Sequence, residues 1–412
     1  MELAKRKDVP IELTWDLSAI FPTEEAFAAA LEETKSLASQ LESTYKGALN
    51  TPENIQSCLT LYQKMCVQLN LCGSYRNLAA SVDYNDARLQ EEDGKMSRLY
   101  AEIASHLSFI DSEIIAQPEE TLQAAIAQGG PNCGYIKGLL RRKPHQLQPE
   151  TEKALAALSP AFGVPYQVYN MAKLADMRFP SFQAGGEEHP LGYSLFEDDY
   201  EYEPSTPVRR EAFRVFSDKL KEYENVTAAA YQGQVQTEKI MATLRGFDSV
   251  FDYLLFDQHV TREMYDRQID LIMEKLAPHM RKYAKLLQKI HGLDTMTYAD
   301  LKLTIDPGYT PAVTIEESKA YIEKGLSILG EDYVKMVQAA YRERWVDFAQ
   351  NQGKSTGGFC ASPYGNHSYI LLSWNQRMSD VFTLAHELGH AGHFKACNAA
   401  QSLFDTEVST YF

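Results

Sequence analysis

The sequence lacks the features that mark membrane-inserted, secreted and disulfide-stabilised proteins. None of its apolar runs approaches the roughly 20 residues that a membrane-spanning helix needs. The basic residues Lys5, Arg6 and Lys7 are not followed by the apolar stretch of a secretory signal. The six cysteines include no C-x-x-C pair, which favours free thiols in a reducing compartment. The sequence therefore predicts a cytoplasmic location.

Positive charge is also scarce. The chain has 40 lysines and arginines against 56 aspartates and glutamates, so its formal net charge is −16 at pH 7. Nucleic acids and anionic membranes select basic surfaces, and neither is predicted as a partner. A chain of 412 residues exceeds the usual size of one hydrophobic core, so two or more subdomains are expected.

Helical patterns dominate what is present. Thr206-Pro207 pairs an N-cap residue with a proline in the first helical turn, and Thr314 and Glu317 match a capping box. Residues 177–206 interrupt these patterns with prolines and Gly185-Gly186, which predicts a short hairpin at a domain boundary. We predict an N-terminal helical domain at 1–200 and a second domain at 201–412. Strand signals occur at 302–311 and 356–372, so the predicted fold is mainly α with a small sheet.

The segment His386-Glu387-Leu388-Gly389-His390 is the strongest sign of chemistry. Positions i and i+4 are about 40° apart around an α-helix, so both imidazoles project from one face and can share a tetrahedral Zn²⁺. Glu387 is then placed to take the proton of a metal-bound water as a general base. Ser379-Asp380 offers an N-cap for this helix. A core helix with hydrogen-bonded histidines is the alternative, but it would have to bury three polar groups.

The third ligand of such a site is not fixed by the spacing. A catalytic zinc site has three protein ligands and one open position. His393 follows His390 by three residues, whereas one zinc-peptidase class needs six, so His393 is predicted to support or pack against the site. Glu407 would serve by spacing alone, and Asp405 is a weaker candidate. The same segment equally matches a solvated turn.

Three segments resemble the oligoendopeptidase F branch of the thimet-oligopeptidase-like zinc peptidases. They span residues 353–359, 367–372 and 380–390, and Thr14-Trp15-Asp16-Leu17 resembles the start of that branch. The resemblance implies a two-lobed, zincin-type helical fold with a small sheet beside the HExxH helix. It also implies one Zn²⁺ per chain and hydrolysis of internal bonds in short unfolded peptides.

The same resemblance implies that this chain lacks part of the site. In that branch the third ligand is a glutamate directly after a Ser-Thr-Tyr-Phe-like segment, and this chain ends at Ser409-Thr410-Tyr411-Phe412. The third ligand is therefore expected just beyond Phe412, with Glu407 excluded, and the chain is expected to be an inactive portion of a peptidase. The alternative is a non-catalytic helical peptide-binding or scaffold protein with a vestigial motif. The intact Glu387 argues against that alternative for the longer protein.

Candidate substrate-binding residues precede the zinc helix. Gly357, Gly358 and Phe359 fit a strand that another backbone approaches closely, and an extended peptide can add to such an edge. The resemblance implies that this region lines the substrate cleft. A structural hairpin beside the zinc helix explains the same residues equally well. His367 either contacts substrate or caps the strand, with the second role slightly favoured.

Overall fold

Helices make up most of the structure, a computed structural model that describes residues 3–306, 309, 311–406 and 408–409. The α-helices are α1 (Glu24–Tyr45), α2 (Pro52–Ser81), α3 (Ala87–Leu107), α4 (Phe109–Ala116), α5 (Glu119–Ala127), α6 (Cys133–Arg142), α7 (Pro149–Phe162), α8 (Val164–Asn170), α9 (Thr206–Glu222), α10 (Glu224–Leu244), α11 (Val250–Phe256), α12 (Arg262–Leu271), α13 (Ala277–Ile290), α14 (Ile315–Leu326), α15 (Glu331–Arg342) and α16 (Met378–Ala400). Within the described ranges, no helix is long and apolar enough to cross a membrane.

In the described part of the chain, five short strands form two small sheets. In the first, β1 (Phe182–Ala184) and β2 (Glu187–His189) make an antiparallel hairpin around Gly185 and Gly186, both of which have positive φ. In the second, β3 (Val346–Asp347) pairs parallel to β5 (Tyr369–Leu371), and β4 (Phe359–Ala361) pairs antiparallel to β5. The prediction of a mainly α fold with a small sheet is confirmed, as is the hairpin within 177–206.

Local signals predicted several helix starts, with small errors. The capping box is present at α14, where Thr314 Oγ1 accepts from Glu317 N (3.2 Å) and Glu317 Oε2 accepts from Thr314 N (2.8 Å). Thr206 is the first residue of α9 and not its N-cap, which is Ser205. The strand predicted within 302–311 is wrong at 303–305, because this segment continues the turn after Asp300 and pairs with no described strand. Residues 307, 308 and 310 of that range lie outside the described residues.

The described residues form two compact units. The first contains the described parts of 1–164, 244–246 and 313–408, and the second contains those of 165–243, 247–312 and 409–412. The chain thus contributes separate stretches to each unit. These units do not test the predicted functional division between residues 200 and 201, which stays a prediction.

The larger core of the first unit packs α1, α2 and α3 together. Phe27 and Leu41 of α1 are buried, as are Ile55 and Leu59 of α2. Thr23 starts α1 by accepting a hydrogen bond from Ala26 N (3.2 Å). A second core cluster in the same unit buries one face of α16 against β5 and α15. This second cluster is what holds the predicted zinc helix in place.

Candidate metal centre

Helix α16 carries the HExxH segment well inside its length. It starts at Met378, because Asp380 Oδ2 accepts hydrogen bonds from the backbone N–H groups of Arg377 (2.9 Å) and Asn375 (2.7 Å). Asp380 therefore caps the helix from inside its first turn and does not occupy the predicted N-cap position. Leu384 and Leu388 face the core and are fully buried. The opposite face is left for the histidines.

The structure brings His386 and His390 together on that open face. Their Nε2 atoms are 3.2 Å apart, and their rings meet nearly at right angles with centroids 4.8 Å apart. Two nitrogens bound to one Zn²⁺ at 2.0–2.1 Å with tetrahedral angles would be about 3.3 Å apart. The spacing of the two nitrogens therefore fits two corners of a zinc site.

Glu387 lies between these histidines in sequence but is buried, with 6% of its surface exposed. Burial raises the pKa of its carboxyl above the ordinary value, while the positive charge of His386 and His390 would lower it. Burial also raises the pKa of the Cys360 thiol in β4 to about 11, and the charge of Glu387 adds to that rise. The carboxylate is thus held in a poorly solvated position toward the sheet.

The third ligand is not found among the described residues. No group of three or more His, Cys, Asp or Glu side chains suited to a metal occurs in the part of the chain that the structure describes. Glu407 lies outside the described residues. His393 is partly buried, and its ring meets that of Phe394 edge-on at 5.4 Å. Its predicted supporting role stays a prediction.

Asp405 has a different setting from that of a metal ligand. Its Oδ2 atom accepts a hydrogen bond from Ser402 Oγ (3.1 Å). Its Oδ1 atom lies against the first turn of α6, where a Cβ added to Gly134 would come within 2.1 Å of it. A carboxylate at a helix N-terminus interacts favourably with the helix dipole. The ring of Phe404 packs 4.5 Å from that of Tyr135 and fixes the same segment.

The glycines before β4 bring this edge strand against α16. A Cβ added to Gly358 would lie 3.2 Å from both Leu372 Cδ2 and Thr383 Cγ2, so a side chain there would force the strand away from the helix. Gly357 has a φ of +79°, which favours glycine. Phe359 is partly buried, and its ring centroid is 6.2 Å from that of Trp15. The strand is therefore rigidly placed beside the helix, and substrate binding by these residues stays a prediction.

His367 is placed apart from His386 and His390. Its ring stacks on Trp345 at 4.7 Å and 2°, and its Nδ1 lies 2.9 Å from the carbonyl oxygen of Ser368. Burial lowers the pKa of this imidazole. It lines a cavity of about 360 Å³ together with Lys395, which is nine residues, or two and a half turns, after His386 and therefore projects from the opposite side of α16. The cavity lies on the other side of the helix from the histidine pair.

Two features that support the site gave little signal in the sequence. Lys354 is buried and donates to Asp347 Oδ1 (2.6 Å) and to the carbonyl oxygens of Ala349 (2.6 Å) and Leu372 (2.5 Å). Burial lowers the pKa of Lys354 to about 8, against the opposing charge of Asp347. This lysine ties the segment before β4 to the ends of β3 and β5.

The second feature is the contact between α15 and α16. Tyr333 donates a hydrogen bond to the carbonyl oxygen of Leu388 (2.8 Å). Leu388 lies between His386 and His390 in the sequence. A Cβ added to Gly392 would lie 2.4 Å from Tyr333 Cε2, so the ring depends on this glycine for its position. A glycine inside a helical pattern was the only hint of it in the sequence.

Comparison with known proteins identifies two family models in the chain. Peptidase family M3 matches residues 200–412, and Oligopeptidase F matches residues 113–179. Oligopeptidase PepF of Bacillus subtilis is 30% identical over 397 residues, which cover 95% of this chain and 59% of the relative. An oligoendopeptidase F homolog of Lactococcus lactis is 27% identical and covers 94% and 65%. The chain thus spans about three fifths of the length of these curated relatives.

Solved structures show the same fold at lower identity. Oligoendopeptidase-F from Enterococcus faecium superposes with a TM-score of 0.64 and 18% identity, over 77% of this chain and 61% of that one. PZ peptidase A, solved with an inhibitor, gives a TM-score of 0.73 and 15% identity, over 91% and 65%. At these identities the likeness concerns the fold.

Proposed function

The chain belongs to Peptidase family M3, and from this premise we propose that it carries the zinc-binding helix of an oligoendopeptidase. The proposed reaction is the hydrolysis of internal bonds in short unfolded peptides. The chain spans 59% and 65% of two curated relatives, so the activity is proposed for a protein of their length. For the 412-residue chain alone we propose weak zinc binding and negligible hydrolysis, because its described residues supply two ligands.

One observation carries the proposal. The Nε2 atoms of His386 and His390 are 3.2 Å apart on one helix face, and a buried glutamate lies directly after the first of them. These two histidines would hold the metal. When bound, zinc would act as a Lewis acid that increases the acidity of water and polarises the peptide carbonyl group.

Glu387 is the proposed general base. Its carboxylate accepts the proton of the attacking water and afterwards gives that proton to the leaving amine nitrogen. A base works best when its pKa approaches the working pH, and burial raises the pKa of Glu387 in that direction.

The proposed substrate contact is the edge of β4. The strand order β3-β5-β4 makes β4 an edge strand, and Gly358 sets it directly against Thr383 of α16. A peptide that adds to this edge would be held through its backbone, which suits broad sequence tolerance. Gly357, Gly358 and Phe359 would line it. His367 would act indirectly, through the strand that it precedes.

A cytoplasmic location is part of the same proposal. The six cysteines form no disulfide in the structure, and all of them lie among the described residues. Free thiols and a net charge of −16 suit a reducing compartment and peptide partners, with neither nucleic acid nor a membrane surface involved.

Zinc content and peptide hydrolysis, measured together, test the proposal. The chain is extended to the relatives' length with the matching remainder of the Bacillus subtilis protein, and a quenched fluorescent peptide is the substrate. Glu387→Gln should keep zinc bound and lower turnover by about 10²-fold or more, because the ligands stay while the base is lost. Near-normal turnover in that variant would disprove the role of Glu387. Absence of zinc from both proteins would favour the alternative, a non-catalytic peptide-binding protein with a vestigial motif.

A further inference from the structure

The second compact unit contains a groove that the proposed reaction does not use. It lies between α8 and α10 and has a volume of about 540 Å³. Its lining residues all belong to the second unit and include Tyr166 and Tyr169 of α8 and Glu224, Thr227 and Tyr231 of α10. The groove therefore stands on the structure of one unit alone.

Tyrosines from both helices form the walls of the groove, Tyr166 and Tyr169 on α8 and Tyr231 on α10. Ala228 and Ala230 lie on α10, where the chain also comes close to α8 at Gly233. A Cβ added to Gly233 would be 3.2 Å from Pro165 Cγ, so this glycine permits the close approach that closes one end. Tyr166 and Tyr231 are 66% and 72% exposed. Two of the large rings that line the groove are thus mostly exposed to solvent.

Tyrosine walls are suited to binding other polypeptides. A tyrosine offers a large apolar ring and a polar hydroxyl, and it loses little conformational entropy when it is held by a ligand. The rings of Tyr166 and Tyr169 are 6.4 Å apart and inclined by 31°, and both side chains are exposed, so a third ring or an aliphatic side chain can pack against them. The walls thus select an apolar side chain.

The charge of the groove selects the rest of the ligand. Glu224 is the one charged side chain among the described residues that line the groove. It is exposed at the start of α10, and it lies on the same helix as Thr227 and Tyr231, about one and two turns before them. A basic group beside the apolar side chain would meet this carboxylate, whereas an acidic group would be repelled.

We propose that this groove is a peptide-binding site that takes an extended peptide with a large apolar side chain next to a basic residue. The inference rests on the proposed function, since peptides are the proposed substrates. The groove would select peptides by their side chains, whereas the strand edge proposed above would hold a peptide only through its backbone. The site would retain peptides of this class on the second unit whether or not zinc is present.

Peptide binding to the chelator-treated 412-residue chain tests the site without hydrolysis. The probe is fluorescein-labelled Gly-Gly-Phe-Arg-Gly-Gly, and fluorescence anisotropy gives its Kd. Matched probes carry serine in place of phenylalanine, or glutamate in place of arginine. We expect both substitutions to weaken binding. Tyr231→Ala should raise the Kd of the first probe by about five- to tenfold, as expected for an aromatic residue central to an interface.

Two further variants separate the groove from general effects on folding. Tyr231→Phe should keep the Kd within about twofold, because the ring remains. Tyr298→Ala is the matched control, since Tyr298 is 81% exposed in the same unit and does not line the groove. Glu224→Gln should raise the Kd of the arginine probe by about threefold and leave that of the glutamate probe unchanged or lower.

Three results would overturn the assignment. The first is a Kd that Tyr231→Ala does not change, or that is equal for the phenylalanine and serine probes. The second is a dimer of the chain that Tyr231→Ala dissociates, which would identify a second copy as the occupant. The third is Tyr231-dependent binding of the part of the Bacillus subtilis relative that lies outside the aligned residues. Zinc content and hydrolysis are measured separately, so failure of the proposed function remains distinguishable.

Discussion

Two glycines of α16 have opposite surroundings, and substituting each by alanine tests how this helix is held. A Cβ added to Gly389 meets no atom within 4 Å, whereas at Gly392 it would lie 2.4 Å from Tyr333 Cε2. Neither glycine has a positive φ, so alanine suits the backbone at both positions. We expect Gly389→Ala to stabilise the protein and Gly392→Ala to destabilise it.

The size of each effect follows from the contacts. Alanine is favoured over glycine inside a helix by about 1 kcal/mol, which is the largest gain expected for Gly389→Ala. At Gly392 the ring of Tyr333 must move, and overpacking of this kind costs about 1–3 kcal/mol. A displaced Tyr333 also loses its hydrogen bond to Leu388 (2.8 Å). A hydrogen bond contributes about 0.5–1.5 kcal/mol, so the net loss expected for Gly392→Ala is about 0.5–3.5 kcal/mol.

Urea unfolding followed by tryptophan fluorescence measures both variants. Trp15, Trp345 and Trp374 are the three tryptophans of the sequence and lie in the first compact unit, so their emission reports the unit that contains α16. The free energy of unfolding is obtained by linear extrapolation to water. In a Tyr333→Ala background the cost of Gly392→Ala should disappear. A loss of stability in both glycine variants, or in neither, would refute this account of the contact.

The remaining predictions concern the metal, a buried lysine and a buried carboxylate. The Zn²⁺ affinity of the 412-residue chain, measured by competition with a chromophoric chelator, should be weak and unchanged by Glu407→Ala; a large loss of a tight site would show that Glu407 completes the coordination. Lys354→Met should reduce the free energy of unfolding by about 1–3 kcal/mol, because the buried carbonyl oxygens of Ala349 and Leu372 lose their donor while Arg6 still pairs with Asp347; an unchanged stability would contradict this. Burial alone would raise the pKa of Asp300, but hydrogen bonds from Arg210, Arg209 and Thr297 lower it to about 2. Its stabilising contribution of about 2 kcal/mol is therefore present above pH 4 and lost as the pH falls toward 2, so acid should destabilise Asp300→Asn less than the unaltered chain in urea titrations at pH 5 and 2.5.

The parts of the fold that the sequence predicts are those with local causes. The capping box of Thr314 and Glu317 closes within four residues, and the hairpin at Gly185-Gly186 needs only a turn. The errors in these predictions are small, such as the one-residue shift at the start of α9. The sequence Leu303-Thr304-Ile305 is typical of a strand. A strand needs a pairing partner, however, and no described strand lies beside these residues.

The contacts that hold the site are long-range, and no pattern in the sequence predicts them. Arg6 and Asp347 are 341 residues apart, and their ion pair adjoins Lys354, which otherwise looks like an exposed residue of a glycine-rich turn. Tyr333 lies 55 residues before the carbonyl group that it contacts. His367 stacks on Trp345, 22 residues before it in sequence, and its role, substrate contact or strand cap, stays a prediction. In each case the partner is set by packing between elements.

The same distinction explains why the histidine pair is predictable and the third ligand is not. A single helix can bring the imidazole nitrogens of residues i and i+4 as close together as two ligands of one tetrahedral zinc ion. Helix α16 alone therefore produces the 3.2 Å distance between the Nε2 atoms of His386 and His390. His393 lies within about 20° of His386 around the helix, but it is seven residues and about 10.5 Å further along the axis, and no third metal-ligating side chain joins the pair among the described residues. A third ligand must come from another element, and its position depends on how that element is anchored. We therefore expect the zinc affinity to depend on how other elements pack around α16, whereas the pair of histidines depends on the helix alone.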